Sequence, residues 1–142
     1  MNSIEKKIKD SKFKIYEENS DSLWDKFVNE SVQGSLFSQS IFLKNTTGQF
    51  IRYFVKKGNE IKAAFNLFLS EDSINSKSNP LAIHNSLMFV NDLSQKKIKS
   101  KKEQYEITNL VVHFLASKYK DIYISLSPHF EDLRPFLWFN YH

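Results

Sequence analysis

In the stretch "LAIHNSLMFV", three hydrogen-bonding side chains in a row, His84, Asn85 and Ser86, interrupt an otherwise apolar run. Inside such a run they must either find partners or face a cleft, because a polar group left unpaired away from water costs free energy. Two readings follow. One is a satisfied polar kink between two extended pieces; the other is a set of side chains lining a ligand cleft. A second group lies near the end of the chain, in "SPHFEDLRPFLWFNYH". There Ser127 can cap a turn opened by Pro128, and Asp132 can cap another that contains Pro135. His129 and Arg134 then stand at the end of the preceding segment as candidate ligand contacts. His129, Glu131 and Asp132 are metal-capable, but no second histidine is near, so the run fits a capped turn beside an exposed imidazole better than a metal site or a general-base pair.

Several chemistries are excluded by residue type. The chain has no cysteine, hence no thiol nucleophile, disulfide framework or thiolate-bound zinc. Its three glycines, Gly34, Gly48 and Gly58, are far apart. Loops that cradle phosphate need glycines in a cluster, so neither a P-loop nor a dinucleotide fingerprint is present. There is also no G-x-S-x-G elbow and no H-E-x-x-H pair. No residue is therefore assigned a catalytic role, and the candidate substrate-binding residues are His84, Asn85, Ser86, Ser127, His129 and Arg134.

The elements that must position these groups can be read from periodicity. "KFKIYEE" alternates Phe13 and Ile15 with lysines, as a half-buried strand does. In "SDSLWDKFVNESVQG", Leu23, Trp24, Phe27 and Val28 form one helical stripe, with Ser22 and Asp25 in capping-box spacing and Gly34 as the stop. A short helix follows in "SQSIFLKNTTG", capped by Ser38. "QFIRYFVKKGNEIKAAFNLFLSE" reads as a hairpin turning at Gly58 and Asn59. Its second strand shows Ile61, Ala63, Phe65, Leu67 and Leu69 on one face and Ala64 and Phe68 on the other, so helices should cover both sides. Residues 70–80 read as a surface loop and "LAIHNSLMFV" as a buried extended segment. Ser100 and Glu103 suggest a capping box before a long helix carrying Ile107, Leu110, Val111, Phe114 and Leu115. His113 projects away from that stripe and is expected to be exposed. "DIYISLS" reads as a last strand before a short terminal helix. The expected fold is mixed α/β: a largely antiparallel sheet with helices on both faces, in one domain spanning residues 1–142, of which residues 1–11 are expected to be loosely ordered.

The formal charge of +4 comes from one place. Lys96, Lys97, Lys99, Lys101 and Lys102 lie within seven residues, and without them the balance is 15 basic to 16 acidic groups. Such a run attracts phosphate, but a solvated loop before a helix explains it more simply, and nucleic acid is not the expected partner. The charged N-terminus does not resemble a signal peptide, and no apolar window is long enough to span a membrane. The expectation is a cytoplasmic protein. The ending is unusually apolar: Phe136, Leu137, Trp138 and Phe139 would cover nearly every side of a helix, with Tyr141 beyond them. A small domain cannot easily bury all of these, and large exposed apolar patches usually mark contacts. Asp132 is assigned to fix the turn, and Phe136, Trp138, Phe139 and Tyr141 to an interface.

"LWDKFVNESVQGSLFSQSIFLK", "AIHNSLMF" and "DLRPFLWFNY" together resemble the Fem-type (FemAB-like) branch of the GNAT acyltransferase superfamily. The resemblance covers about residues 12 to 142, and "DLRPFLWFNY" is its most specific part. It implies a GNAT-like domain corresponding to the first of two tandem units in bacterial enzymes. Those enzymes join an amino acid or other acyl group to an amine on a peptidoglycan or related cell-envelope precursor. By the same resemblance, this chain would be an acceptor-binding unit, incomplete for catalysis and without a cofactor of its own. The acyl or aminoacyl donor would come with a second GNAT-like domain, and the acceptor would be a cell-envelope precursor or sugar nucleotide. The alternative is a non-enzymatic interaction domain that forms a homodimer through its aromatic ending.

Overall fold

In the computed structural model, which describes residues 2–46, 48–85 and 87–139, the hairpin around Gly58 is the centre of the sheet. Strand β2 (Gln49–Lys57) pairs antiparallel with β3 (Glu60–Leu69), and β1 (Lys14–Glu17) adds antiparallel to the outer edge of β2. Two short strands share the other edge of β3. β5 (Met88–Phe89) pairs at Ala63 and Ala64, and β4 (Ser76–Lys77) pairs at Phe68 and Leu69. Gly58 takes φ of +60°, the left-handed region that tight hairpin turns require and glycine enters without strain.

Alternation along β2 and β3 divides the core into two layers. Tyr53, Val55, Ala63, Phe65 and Leu67 face the long helix α4 (Lys97–Lys118), packing on Ile107, Val111 and Leu115. Phe54, Ala64 and Phe68 face α2 (Asp21–Glu30) and α3 (Ser40–Asn45), packing on Trp24, Phe27 and Leu43. The chain is thus a mixed α/β structure with an antiparallel five-stranded sheet and helices on both faces. One expected face assignment fails. A register shift between Val55 and Lys56 sets Ile61 opposite Lys56 and Ala63 opposite Val55, so Lys62 is an extra residue in β3. A period-2 strand that gains one residue swaps faces beyond the bulge, and Ile61 accordingly packs with the α2 layer. Lys62 instead reaches toward α4, where it pairs with buried Glu103 at 3.3 Å and with Glu60 at 3.2 Å.

Other boundaries also differ from expectation. α2 is capped by Ser20, whose Oγ accepts from the Leu23 N–H, while Asp25 instead accepts from the Ser40 N–H at 2.8 Å and so starts α3. The lysine run lies inside the first turns of α4 rather than before it, and Ser100 is a helical residue. Residues 70–80 contain β4. Among the described residues, "DIYISLS" forms no strand, but an isolated bridge of Ser125 with Asn85 and hydrogen bonds to Ser76, whose N–H donates to the Asp121 carbonyl and whose Oγ accepts from the Tyr123 N–H. Helix α1 (Ser3–Asp10), capped by Asn2, rests on α4 and has no buried residue. Ile4 and Ile8 are half-buried, so α1 touches the fold without contributing to the interior of the core.

Candidate functional site

The six candidate residues fall in two places. Between Ala82 and Met88, which pack in the α2 layer, the chain passes along the split edge of β3. Asn85 donates its N–H to the Ser125 carbonyl at 2.7 Å, and Ser125 Oγ donates to the Ile83 carbonyl at 2.6 Å. The His84 ring meets Phe37 edge-on at 6.4 Å. His84 Nδ1 and Asn85 Oδ1 are buried without hydrogen-bond partners, as are Ser35 Oγ and both amide atoms of Asn66. Asn66 is 1% exposed and lies between Ala64, the partner of Met88, and Phe68, the partner of Lys77. Those pairings bracket the segment that carries His84. Directly across β2 from Asn66 is Arg52, which donates to Asp21 Oδ1 at 2.8 Å and Ser40 Oγ at 2.9 Å. Lys44 also pairs with Asp21, and hydrogen bonds from Lys44 and then Arg52 hold that carboxyl below the usual range. Ser86 lies outside the described residues.

The second place is the turn after the Ser125 bridge. Ser127 is buried; its Oγ accepts from the His129 N–H at 3.1 Å and its carbonyl from the Phe130 N–H at 3.0 Å. This is the capped turn expected at Pro128. Gln33 ties it to the sheet: its Nε2 donates to the His129 carbonyl at 3.4 Å, and its Oε1 accepts from the Phe89 N–H at 3.1 Å. Phe130 stacks on Phe89 at 5.7 Å. Asp132 then accepts from the Arg134 N–H at 3.1 Å and from the guanidinium at 2.6 to 3.2 Å, which opens helix α5 (Arg134–Leu137). Arg134's hydrogen bonds hold the Asp132 carboxyl well below the usual carboxylate range. The guanidinium lies over Tyr105 of α4 at 4.8 Å and over Trp138 at 5.8 Å, so one side chain fastens α5 to α4.

Beside this turn a groove follows the first half of α4. One hollow of about 690 Å³ is lined by Lys101, Lys102, Gln104, Tyr105, Glu131, Asp132 and Arg134. A neighbouring one of about 490 Å³ shares Lys101, Gln104 and Glu131 and reaches Gln33, Ser100 and His129. His129 and Arg134 therefore border one continuous surface. His84 and Asn85 stand on the α2 side, joined to it through the Asn85–Ser125 bridge and the Ser125–Ile83 hydrogen bond. Sequence reasoning missed Gln33, Asn66 and Tyr105, and met Lys101 only as part of the lysine run. Lys101 and Tyr105 were accessible to it, one helical turn apart on the polar side of the expected helix. Gln33 and Asn66 acquire their positions only from tertiary contacts.

At α5, Pro135 is buried and Phe136 packs against Phe130 at 6.0 Å, but Leu137 is 62% exposed and Trp138 50% exposed. Phe139 meets His113 edge-on at 5.1 Å. His113 is thus buried, contrary to expectation, between α1 and the α5 end; its Nδ1 also bonds the Asn109 carbonyl at 2.7 Å. An apolar hollow of about 460 Å³ opens between α4 and α5, lined by Val112, Leu115, Ala116, Ile122, Phe136, Leu137 and Phe139. Tyr141 lies outside the described residues. Among the described residues no group of three or more His, Asp or Glu is placed to hold a metal ion, and no helix is long and apolar enough to cross a membrane. Comparison with family models, curated proteins and solved structures finds no match to this chain.

Proposed function

We propose that this chain is the acceptor-binding unit of a cytoplasmic N-acyl or aminoacyl transferase of Fem-like type, which acts with further protein and does not complete catalysis alone. The observation that carries this reading is the α4 groove, where His129 and Arg134 meet Lys101, Lys102, Gln104 and Tyr105. Cations, hydrogen-bond donors and an aromatic ring on one surface suit a sugar-nucleotide acceptor, whose phosphates and ring present the complementary chemistry. The reaction would be attack of the acceptor's amine on an activated acyl carbon. That step depends on positioning and oxyanion donors more than on a protein nucleophile, and the acyl donor would be held by the additional protein. Calorimetric titration with a uridine-diphosphate amino sugar carrying a peptide arm tests the reading. Binding that weakens in Lys101→Gln and Arg134→Gln is expected; no heat and no amide shift changes around His129 and Tyr105 would reject it.

A second observation supports a protein contact at the far end of α4. Leu137, Trp138 and the apolar hollow beside them resemble the centre of an interface more than an ordinary monomer surface. A second GNAT-like unit would fit this face, and a homodimer through it is the alternative.

A further inference from the structure

The polar face of α4 carries Lys101, Tyr105, Asn109 and His113, one residue per turn. At Lys101 and Tyr105 this row forms a wall of the open groove. Beyond Tyr105 it runs under α1. There, two hollows of about 400 and 390 Å³ remain between α1 and α4, and Lys7, Tyr105, Asn109 and His113 line both. The second hollow also reaches Pro135 and Trp138 of the α5 turn. α1 thus rests on α4 with open hollows left beside the contact. It has no buried residue and Ile8 touches the core only from outside; the segment that follows it is anchored by buried Phe13, by an ion pair between exposed side chains, Lys12 and Glu106 at 3.3 Å, and by Lys14 Nζ donating to the Lys9 carbonyl at 2.6 Å. An eight-residue helix is not stable on its own in water, so α1 stays helical only while it is seated.

We infer that α1 is a strap over the distal half of the α4 groove. When it lifts, the open groove gains two further turns of α4, to Asn109 and His113, and reaches the aromatic side of α5. A compact ligand occupies the open half whether or not α1 is seated, whereas a ligand with an extended arm requires α1 to leave. This inference rests on the proposal that the groove receives the acceptor, and it assigns α1 the control of how long an acceptor can bind.

The test uses the full chain in two measurements. In native-state hydrogen exchange, amides of residues 5–10 should exchange roughly a hundredfold or more faster than those of 107–115, as expected of a locally opening segment. Equal protection would overturn the strap. The chain has no cysteine, so Lys7→Cys with Asn109→Cys gives a unique pair that a short bismaleimide can join. Joining them should weaken a uridine-diphosphate sugar bearing a pentapeptide arm by about tenfold or more and leave the same sugar without its arm unchanged. If the armed ligand binds equally well to the joined and open forms, the strap is wrong and the acceptor reading stands. If neither ligand binds, the acceptor reading fails, and the exchange measurement alone decides whether α1 opens.

Discussion

Asn66 is the residue at which packing alone gives the wrong expectation. Its amide lies on the α2 face of β3 with Ala64 and Phe68, buried and with no partner for either atom among the described residues. An unsatisfied buried amide costs about 1–3 kcal/mol, so Asn66→Leu is expected to stabilise the fold by about 1 kcal/mol, read as a higher urea midpoint at unchanged slope. A lower midpoint would mean that the amide is bonded in solution. Asp132 gives a pH-dependent counterpart. Its folded pKa lies below the unfolded value because Arg134 hydrogen-bonds the carboxylate. The contribution is therefore complete above about pH 4, the unfolded carboxyl value, and is lost as pH falls through the depressed folded value. Acidification should loosen the α5 turn before the sheet, seen as Trp138 fluorescence changing ahead of far-ultraviolet dichroism. Coincident transitions would show that Asp132 does not hold the turn. The Asp132 turn could be read from the sequence because an Asx turn is local, although the N-cap of α5 is Leu133 and not the aspartate. The burial of His113 could not, since it depends on α1 and Phe139 meeting it from distant parts of the chain.

The hairpin and α4 were legible as elements for the same reason: each carries more than four apolar residues in one clear period. The short strands were not. β4 and β5 have two residues each, and what makes them strands is the edge of β3, not their own pattern. Lys62 was likewise hidden, because a bulge leaves no compositional mark. Its ion pair with Glu103 joins sheet to helix: burial opposes the charge, but Glu60 and Glu103 outweigh it and hold the lysine pKa above its ordinary value. Removing one partner strands the other, so Lys62→Met is expected to cost up to about 3 kcal/mol. Lys62→Met with Glu103→Leu should recover most of that, as a double-mutant cycle would register. If the double variant is as unstable as the single one, the pair is not what joins β3 to α4.

For the whole molecule, the distinction that matters is between the two ends of α4. One end borders a polar groove, and the other borders an apolar hollow lined by Leu137, with exposed Trp138 next to it in sequence. If that hollow is an interface, Leu137→Glu should abolish self-association or partner capture while changing unfolding free energy by less than about 0.5 kcal/mol, as exposed substitutions do. A large loss of stability would instead make α5 part of the core. The bulge has a further implication at this scale. Because Lys62 is the one extra residue in β3, removing that single codon would close the bulge, keep Ile61 opposite Lys56 on the α2 face, and take away the lysine that pairs with Glu103. Losing that residue should therefore cost the fold about as much as exchanging the lysine does, a sensitivity to the charge more than to length.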